Sequence, residues 1–260
     1  MSKSASGHEQ PVMSMTLTYE KAVEVLAQRE RFGMRPGLER IAGVLDLLGH
    51  PERRFAAIHI AGTNGKGATA ALAAALLQAA GYRVGLYTSP HLVSPAERIA
   101  VQGIPISQEV FSQAVAEAVA AGEALMAAHP ELGPATQFEV YTAAGFWAFA
   151  HEQVDVAVVE VGLGGRLDAT NVLDPEVAVI TPVGLDHTEI LGPTLAQIAA
   201  EKAAIIKPEV AAVTAPQPHE AAEVIASRIA AVGIKDAVWV HAGGSSIRVA
   251  GALPVTFTVT

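Results

Sequence analysis

The stretch "HIAGTNGKGATAA", residues 59–71, constrains the fold of this chain more than any other. Apolar residues run into closely spaced glycines and a lysine, and an alanine-rich run follows. That order reads as strand, glycine loop and helix. The next apolar run, "YRVGLYT" at 82–88, closes a βαβ unit whose two strands must lie parallel in one sheet. Parallel strands are covered on both faces and so read as near-continuous apolar runs. "FAAIHIA" (55–61), "VDVAVVEVG" (154–162) and "EVAVIT" (176–181) have this character. The expected fold is therefore α/β, a mostly parallel sheet flanked by helices.

The other elements follow from local signals. Thr18 can cap a helix running to about Arg31, and Pro36 suits the first turn of a helix ending near Leu48. Residues 68–80 are the longest mostly apolar run, too short to span a bilayer and interrupted by Gln78, and read as a buried helix. "ERIAVQGIPI" is a hairpin turning at Gln102-Gly103. Helices are expected over 107–128, 137–152, 194–206 and 219–231, and a short strand over 210–214. The closing "GGSSIRVAGALPVTFTVT" holds short strand-like pieces. Residues 1–17 read as a loose leader without the apolar core of a signal peptide, and 18–260 as one domain that is incomplete at its C-terminal end.

Composition narrows the function. With 51% hydrophobic and 17% charged residues in 260, the chain is globular with a substantial core. A net charge of -9 argues against nucleic acid as the main partner but leaves room for a small anion in a local positive pocket. The absence of cysteine excludes disulfides and thiolate metal sites and fits a reducing cytoplasm.

Several segments carry candidate chemistry. The glycine loop lets backbone N–H groups and a helix N-terminus face phosphate, with Lys66 adding a point charge. The common phosphate loop has Ser or Thr directly after Gly-Lys, where its hydroxyl holds magnesium; here Gly67 and Ala68 follow Lys66, and Ile60 replaces the first glycine. Glu160 ends an apolar strand, where ligands bind in open α/β sheets and where an unpaired charge is costly. Arg166 and Asp168, in "GLGGRLD", read equally well as a loop ion pair. His187 in "GLDH" and Ser89 and His91 in "YTSPHL" sit in turns, and Lys202 lies in a mostly apolar helix where a lysine can snorkel. Most of these segments follow apolar strands, which brings them to one edge of one sheet.

Together "FGMRPGLERI", "AGTNGKG", "GLYTSPHL", "ERIAVQG", "TQFEVYTAAGF", "EVGLGGRLDATN" and "TPVGLDHTEILGPTLAQIAAEKAAIIK" resemble the folylpolyglutamate synthase/dihydrofolate synthase family, within the Mur-ligase-like amide-bond formers. The resemblance covers the chain from about Tyr19 to Lys207 and implies a P-loop-type Mur-ligase central domain. It implies an ATP-dependent ligase that adds L-glutamate to dihydropteroate, to folylpolyglutamate, or to both, through an acyl phosphate. Gly62, Thr63, Asn64, Gly65, Lys66 and Gly67 would hold ATP. Ser89 and Glu160 would ligate one magnesium, and His187 and an N-carboxylated Lys202 a second. Lys66, His187 and Lys202 would act in catalysis. Ser89, Pro90, His91, Thr136, Phe138, Arg166 and Asp168 would contact folate or pterin.

The same resemblance implies a cytoplasmic monomer that uses neither nucleic acid nor membrane. Ala68 departs from the family, which has Ser or Thr there. The family's smaller C-terminal domain, which helps hold nucleotide and glutamate, has no counterpart in these residues, so the chain by itself is expected to make little product. Another Mur-type amide ligase and a non-catalytic ATP- or pterin-binding fragment stay open as alternatives.

Overall fold

The computed structural model describes residues 17–33 and 35–240, together with the backbone of Ser246–Val249. The expected leader, apart from Leu17, and the last strand-like pieces beyond 249 lie outside the described residues. In chain order the elements are α1 (Tyr19–Arg29), α2 (Glu39–Leu47), β1 (Ala56–Ala61), α3 (Lys66–Ala79), β2 (Val84–Tyr87), β3 (Ile99–Val101), β4 (Ile104–Pro105), α4 (Gln108–Ala128), α5 (Gln137–His151), β5 (Val156–Glu160), β6 (Val177–Ile180), α6 (Thr188–Leu191), α7 (Leu195–Ala203), β7 (Ala211–Thr214), α8 (His219–Ala231), β8 (Ala237–Val240) and β9 (Ser246–Val249).

The strands form one sheet in the order β4-β3-β2-β5-β1-β6-β7-β8-β9. From β2 to β8 the neighbours are parallel, and antiparallel β3, β4 and β9 finish the two sides. The expected strands at 55–61, 82–88, 154–162 and 176–181 are thus adjacent members of one sheet. The hairpin turns where expected, with Gln102 and Gly103 both at positive φ (53° and 75°). The strand β8, in "AVWV", is an addition to the elements read from the sequence.

Side-chain alternation along β1 assigns its two faces. Ile58 and Ile60 meet Ala70, Ala73, Ala74 and Leu77 of α3 on one face. Ala57 joins the core built with α1, α2, α4 and α5, and Ala61 the core built with α7 and α8, both on the other face. His59 lies between those two alanines, at the seam of the two cores.

Three sequence expectations need correction. The helix α2 begins at Glu39, because Gly37 at φ 134° turns the chain out of helical direction and leaves Pro36 in the lead-in. The alanine-rich α3 is buried along one stripe only; Leu72 and Leu76 are 67% and 60% exposed, since packing on the sheet uses a single helix face. The helix expected over 194–206 ends at Ala203, with Thr194 as its cap, and a separate turn of helix, α6, precedes it. Thr18 caps α1 as read, its Oγ1 accepting from the Lys21 N–H. The structure adds two caps the sequence reading did not name: Ser107 Oγ accepts from the Val110 N–H and Thr136 Oγ1 from the Glu139 N–H. One described helix, α4, is long and apolar enough to cross a membrane, and 56% of that window is buried inside the protein.

Candidate active site

The loop between β1 and α3 is shaped by contact with the end of β6. Gly62 sits at φ 151°, and a Cβ there would stand 1.8 Å from Thr181 Oγ1 and 3.0 Å from the Thr181 carbonyl oxygen. Only glycine allows that approach. The N–H groups of Thr63 and Asn64 donate to the Pro182 carbonyl (3.0 and 3.3 Å), and Thr63 Oγ1 donates to the Gly184 carbonyl (3.1 Å) while accepting the Gly184 N–H (3.0 Å). Gly65, at φ 83°, begins α3 without a side-chain cap. The first N–H groups of a long helix are therefore left for an anion, at the positive end of its dipole. Lys66, the first residue of that helix, reaches back to the Thr63 carbonyl at 3.3 Å.

Two buried charged residues flank the loop. Lys202 is 4% exposed, and its Nζ donates to the Gly62 carbonyl at 2.9 Å. Burial above all, then the charge of Lys66, lowers its pKa to about 8, against the pull of Asp186 and Asp168. Glu160 ends β5, level with Ile60 of β1, and faces the first turn of α3: a Cβ on Gly67 would lie 3.5 Å from its Oε2. Burial raises its pKa, while the Ser89 N–H, donating to Oε2 at 3.2 Å, and the charge of Lys66 oppose the rise.

Beside this cluster is a pocket of about 390 Å³. Ser89 and Pro90 form one wall, Thr136 and Phe138 at the start of α5 another, and Gly162, Leu163 and Asp168 a third. Glu30, Arg35 and Arg98 add charge to its lining. The α5 wall is held by a capping box in which Glu139 Oε2 accepts from the Thr136 N–H (2.7 Å) and hydroxyl (2.8 Å). Arg40 Nε donates to the same oxygen at 2.8 Å.

The Mur ligase middle domain, as a family profile, matches residues 60–245. The chain belongs to that family. The dihydrofolate synthase/folylpolyglutamate synthase of Bacillus subtilis is 46% identical over 212 residues, covering 81% of this chain and 49% of the relative. Mycobacterium tuberculosis folylpolyglutamate synthase complexed with ADP superposes with a TM-score of 0.78 at 40% identity, over 88% of this chain and 54% of that one. Escherichia coli FolC in complex with DHPP and ADP gives 0.73 at 36% identity, over 85% and 53%. The chain spans about half the length of the curated relatives it matches.

Within this Mur ligase middle domain the expected site residues sort by position. Gly62, Thr63, Asn64, Gly65, Lys66, Gly67, Glu160 and Lys202 gather at the loop, and Ser89, Pro90, Thr136, Phe138 and Asp168 around the pocket. His91 is not among the pocket residues; its Nδ1 accepts from Arg98 Nε at 2.9 Å. Arg166 is also outside the pocket wall, and the expected loop ion pair with Asp168 is not formed: Arg166 pairs with Glu201 of α7 at 2.9 Å, while Asp168 accepts from Leu163 and Thr170. His187 sits at φ 47° with its side chain 50% exposed, 3.7 Å from Asp186.

Arg35, Arg98, Arg40 and Glu139 went unassigned in the sequence. The Thr-x-x-Glu spacing of "TQFE" could have signalled Glu139, whereas Arg40 reaches its partner only through tertiary folding.

The donor chemistry fits magnesium. Glu160 is a buried carboxylate beside a serine, at a glycine that keeps side-chain bulk away. Magnesium takes one or two carboxylates, with substrate phosphates and water completing its shell. Among the described residues no three His, Asp or Glu side chains gather around one point, so an ion here would draw the rest of its shell from nucleotide and water.

Proposed function

We propose that this Mur ligase middle domain binds ATP and the carboxylate substrate for an ATP-dependent ligase that adds L-glutamate to dihydropteroate, to folylpolyglutamate, or to both. The observation that carries the reading is the position of Ser89. Its N–H bonds Glu160 at the phosphate loop, and the same residue lines the adjoining pocket. Phosphate and acid substrate would therefore meet at one residue, as in-line transfer between them requires.

A carboxylate is a poor electrophile. In the proposed reaction its oxygen attacks the γ-phosphorus of ATP, ADP leaves, and an acyl phosphate forms. The glutamate amine then attacks the acyl carbon, losing a proton as phosphate departs. The residues 62–67 cradle the phosphates, with Lys66 countering the charge that develops on the transferring group. Ser89 and Glu160 would hold one magnesium, and His187 with N-carboxylated Lys202 a second. Magnesium, when bound, neutralises the phosphoryl oxygens. Carboxylation joins the neutral Lys202 amine to carbon dioxide with loss of one proton, and burial makes that neutral form accessible near pH 8. Thr136, Phe138, Asp168, Ser89 and Pro90 would contact the pterin, with His91 and Arg166 reaching it only after rearrangement. We read the protein as a cytoplasmic monomer, in keeping with its lack of cysteine.

Calorimetric titration with a non-hydrolysable ATP analogue, with and without magnesium, and with dihydropteroate tests the reading. Binding of both is expected, the nucleotide more tightly with magnesium. Failure to bind the nucleotide analogue overturns the reading.

A further inference from the structure

The apolar face of β1 contains one polar side chain that the proposed chemistry leaves without a role. His59 is fully buried between Ala57 and Ala61, where the cores of α5 and α7 meet. Its Nε2 lies 2.8 Å from Thr170 Oγ1, and that hydroxyl lies 2.5 Å from Asp168 Oδ1. Asp168 also accepts the N–H groups of Leu163 (2.8 Å) and Thr170 (3.0 Å). A line of three side chains thus joins the central strand to the 162–168 loop.

The proton count along this line assigns each donor. Burial raises the pKa of Asp168, while the two backbone N–H groups and the hydroxyl that converge on its oxygens oppose that rise and favour its ionised form, the form in which each donor on the line is fixed. Thr170 has one hydroxyl proton and gives it to Asp168. It must then accept from His59, which puts the single proton of the neutral ring on Nε2. Burial keeps that ring neutral by lowering its pKa to about 3. Nδ1 has no partner among the described residues, and the ring is held there from the side facing Thr170.

The loop held in this way serves two places. On one side Gly162, Leu163 and Asp168 line the pocket. On the other, Gly165 packs so closely on α7 that a Cβ would stand 2.5 Å from the Glu201 carbonyl oxygen and 3.1 Å from Lys202 Cα, and the Arg166 N–H donates to that carbonyl at 2.9 Å. The strand bearing His59 continues, three residues later, into the phosphate loop.

We propose that His59 is a positioning residue for the carboxylate substrate: through Thr170 it orients Asp168 and thereby sets the pocket wall formed by the 162–168 loop. The proposal rests on the pterin reading of that pocket. His59 touches no substrate itself. Its role is to supply an N–H at a fixed point, which a residue of the same bulk without a proton does not replace.

The test compares His59→Gln, whose side-chain amide offers an N–H near the same point, with His59→Leu, which fills the space without one. Thr170→Val breaks the same line at its middle, so the test stands even where His59→Leu does not fold. Dihydropteroate binding to the chain should weaken about tenfold in His59→Leu and in Thr170→Val, the size of one net hydrogen bond. The double variant should be no weaker than either single one, and His59→Gln should stay within about threefold of the unsubstituted chain. Binding of an ATP analogue should change less than about twofold in all of them.

Amide exchange at Leu163 and Thr170 provides a readout without ligand: faster in His59→Leu and Thr170→Val, unchanged in His59→Gln. Normal dihydropteroate binding by His59→Leu, a His59→Gln variant as weak as His59→Leu, or unchanged exchange in Thr170→Val overturns the proposal. If the unsubstituted chain binds no dihydropteroate, the pterin reading fails and the substrate role assigned to His59 fails with it, whereas a failure confined to the variants overturns His59 alone.

Discussion

Lys202 Nζ donates a 2.9 Å hydrogen bond to the carbonyl oxygen of Gly62, linking a helix C-terminal turn to the first residue of the phosphate loop. Before carboxylation the ammonium is nearly out of solvent, so the carbonyl gains a charge-assisted partner that water does not supply. Lys202→Met removes the donor while keeping the chain length of the side chain. The expected result is an ATP-analogue affinity lower by about tenfold, measured by calorimetry, with the loop carbonyl left unpaired. An unchanged affinity would show that Lys202 does not organise the loop.

Among the described residues the Lys66 ammonium makes one weak hydrogen bond, to the Thr63 carbonyl at 3.3 Å, so its loss costs the fold little. Lys66→Ala should leave the thermal midpoint within about 2 °C and weaken binding of the nucleotide analogue at least about tenfold. Thermal unfolding and calorimetry on the same preparation check both halves. A large stability loss with intact binding would reverse the assignment.

Gly62 has no room for a side chain. Gly62→Ala should destabilise the protein by about 3 kcal/mol in urea unfolding, through overlap with Thr181 and a backbone angle that alanine avoids. Adding Thr181→Ala should recover only part of this, because the Thr181 carbonyl remains 3.0 Å from the new Cβ. Full recovery would mean that the hydroxyl alone sets the constraint.

Glu160 has its pKa raised by burial, so its charge at neutral pH opposes folding. Glu160→Gln removes that charge and should raise stability at pH 7, as urea unfolding would show. The same substitution should abolish the magnesium dependence of nucleotide-analogue binding. Retained magnesium dependence would place the ion elsewhere.

His59 contributes a pH dependence of definite sign. Its folded pKa is about 3 against an ordinary 6.5. Well above pH 6.5 neither state holds the extra proton. As the pH falls below that value the unfolded chain binds a proton that the folded protein refuses, and stability drops by up to about 1.4 kcal/mol per unit. Asp168 and Glu160, with raised pKa values, act in the opposite direction, the folded state taking up their protons first. The stability difference between the unsubstituted chain and His59→Gln isolates the imidazole. That difference should fall as pH is lowered from about 7.5 to about 5. A difference that does not vary with pH would show that the ring is not held neutral.

The parallel sheet, the glycine loop and the Thr18 cap were legible in the sequence because each rests on local chemistry. "FAAIHIA" and "VDVAVVEVG" are apolar at nearly every position, as strands covered on both faces must be. Thr18 stands where a helix needs an oxygen for its first N–H groups. Glu160 and Lys66 could be placed at the carboxyl edge because chain direction fixes which end of a parallel strand a loop leaves. What the sequence left undecided depends on which surfaces meet. Leu72 and Leu76 are no less apolar than Leu77, yet only the face bearing Ala70, Ala73 and Leu77 reaches the sheet. Arg166 finds Glu201 rather than Asp168, because Gly165 lets the loop lie directly on α7 and leaves Asp168 to accept from Leu163 and Thr170. His59 shows the division most clearly: in the sequence it is one polar letter in an apolar strand, and its partner Thr170 lies 111 residues away. Folding alone brings the two within hydrogen-bond distance, since the alternation of β1 dictates the face on which the imidazole lies while the packing of the 162–168 loop decides what it meets there.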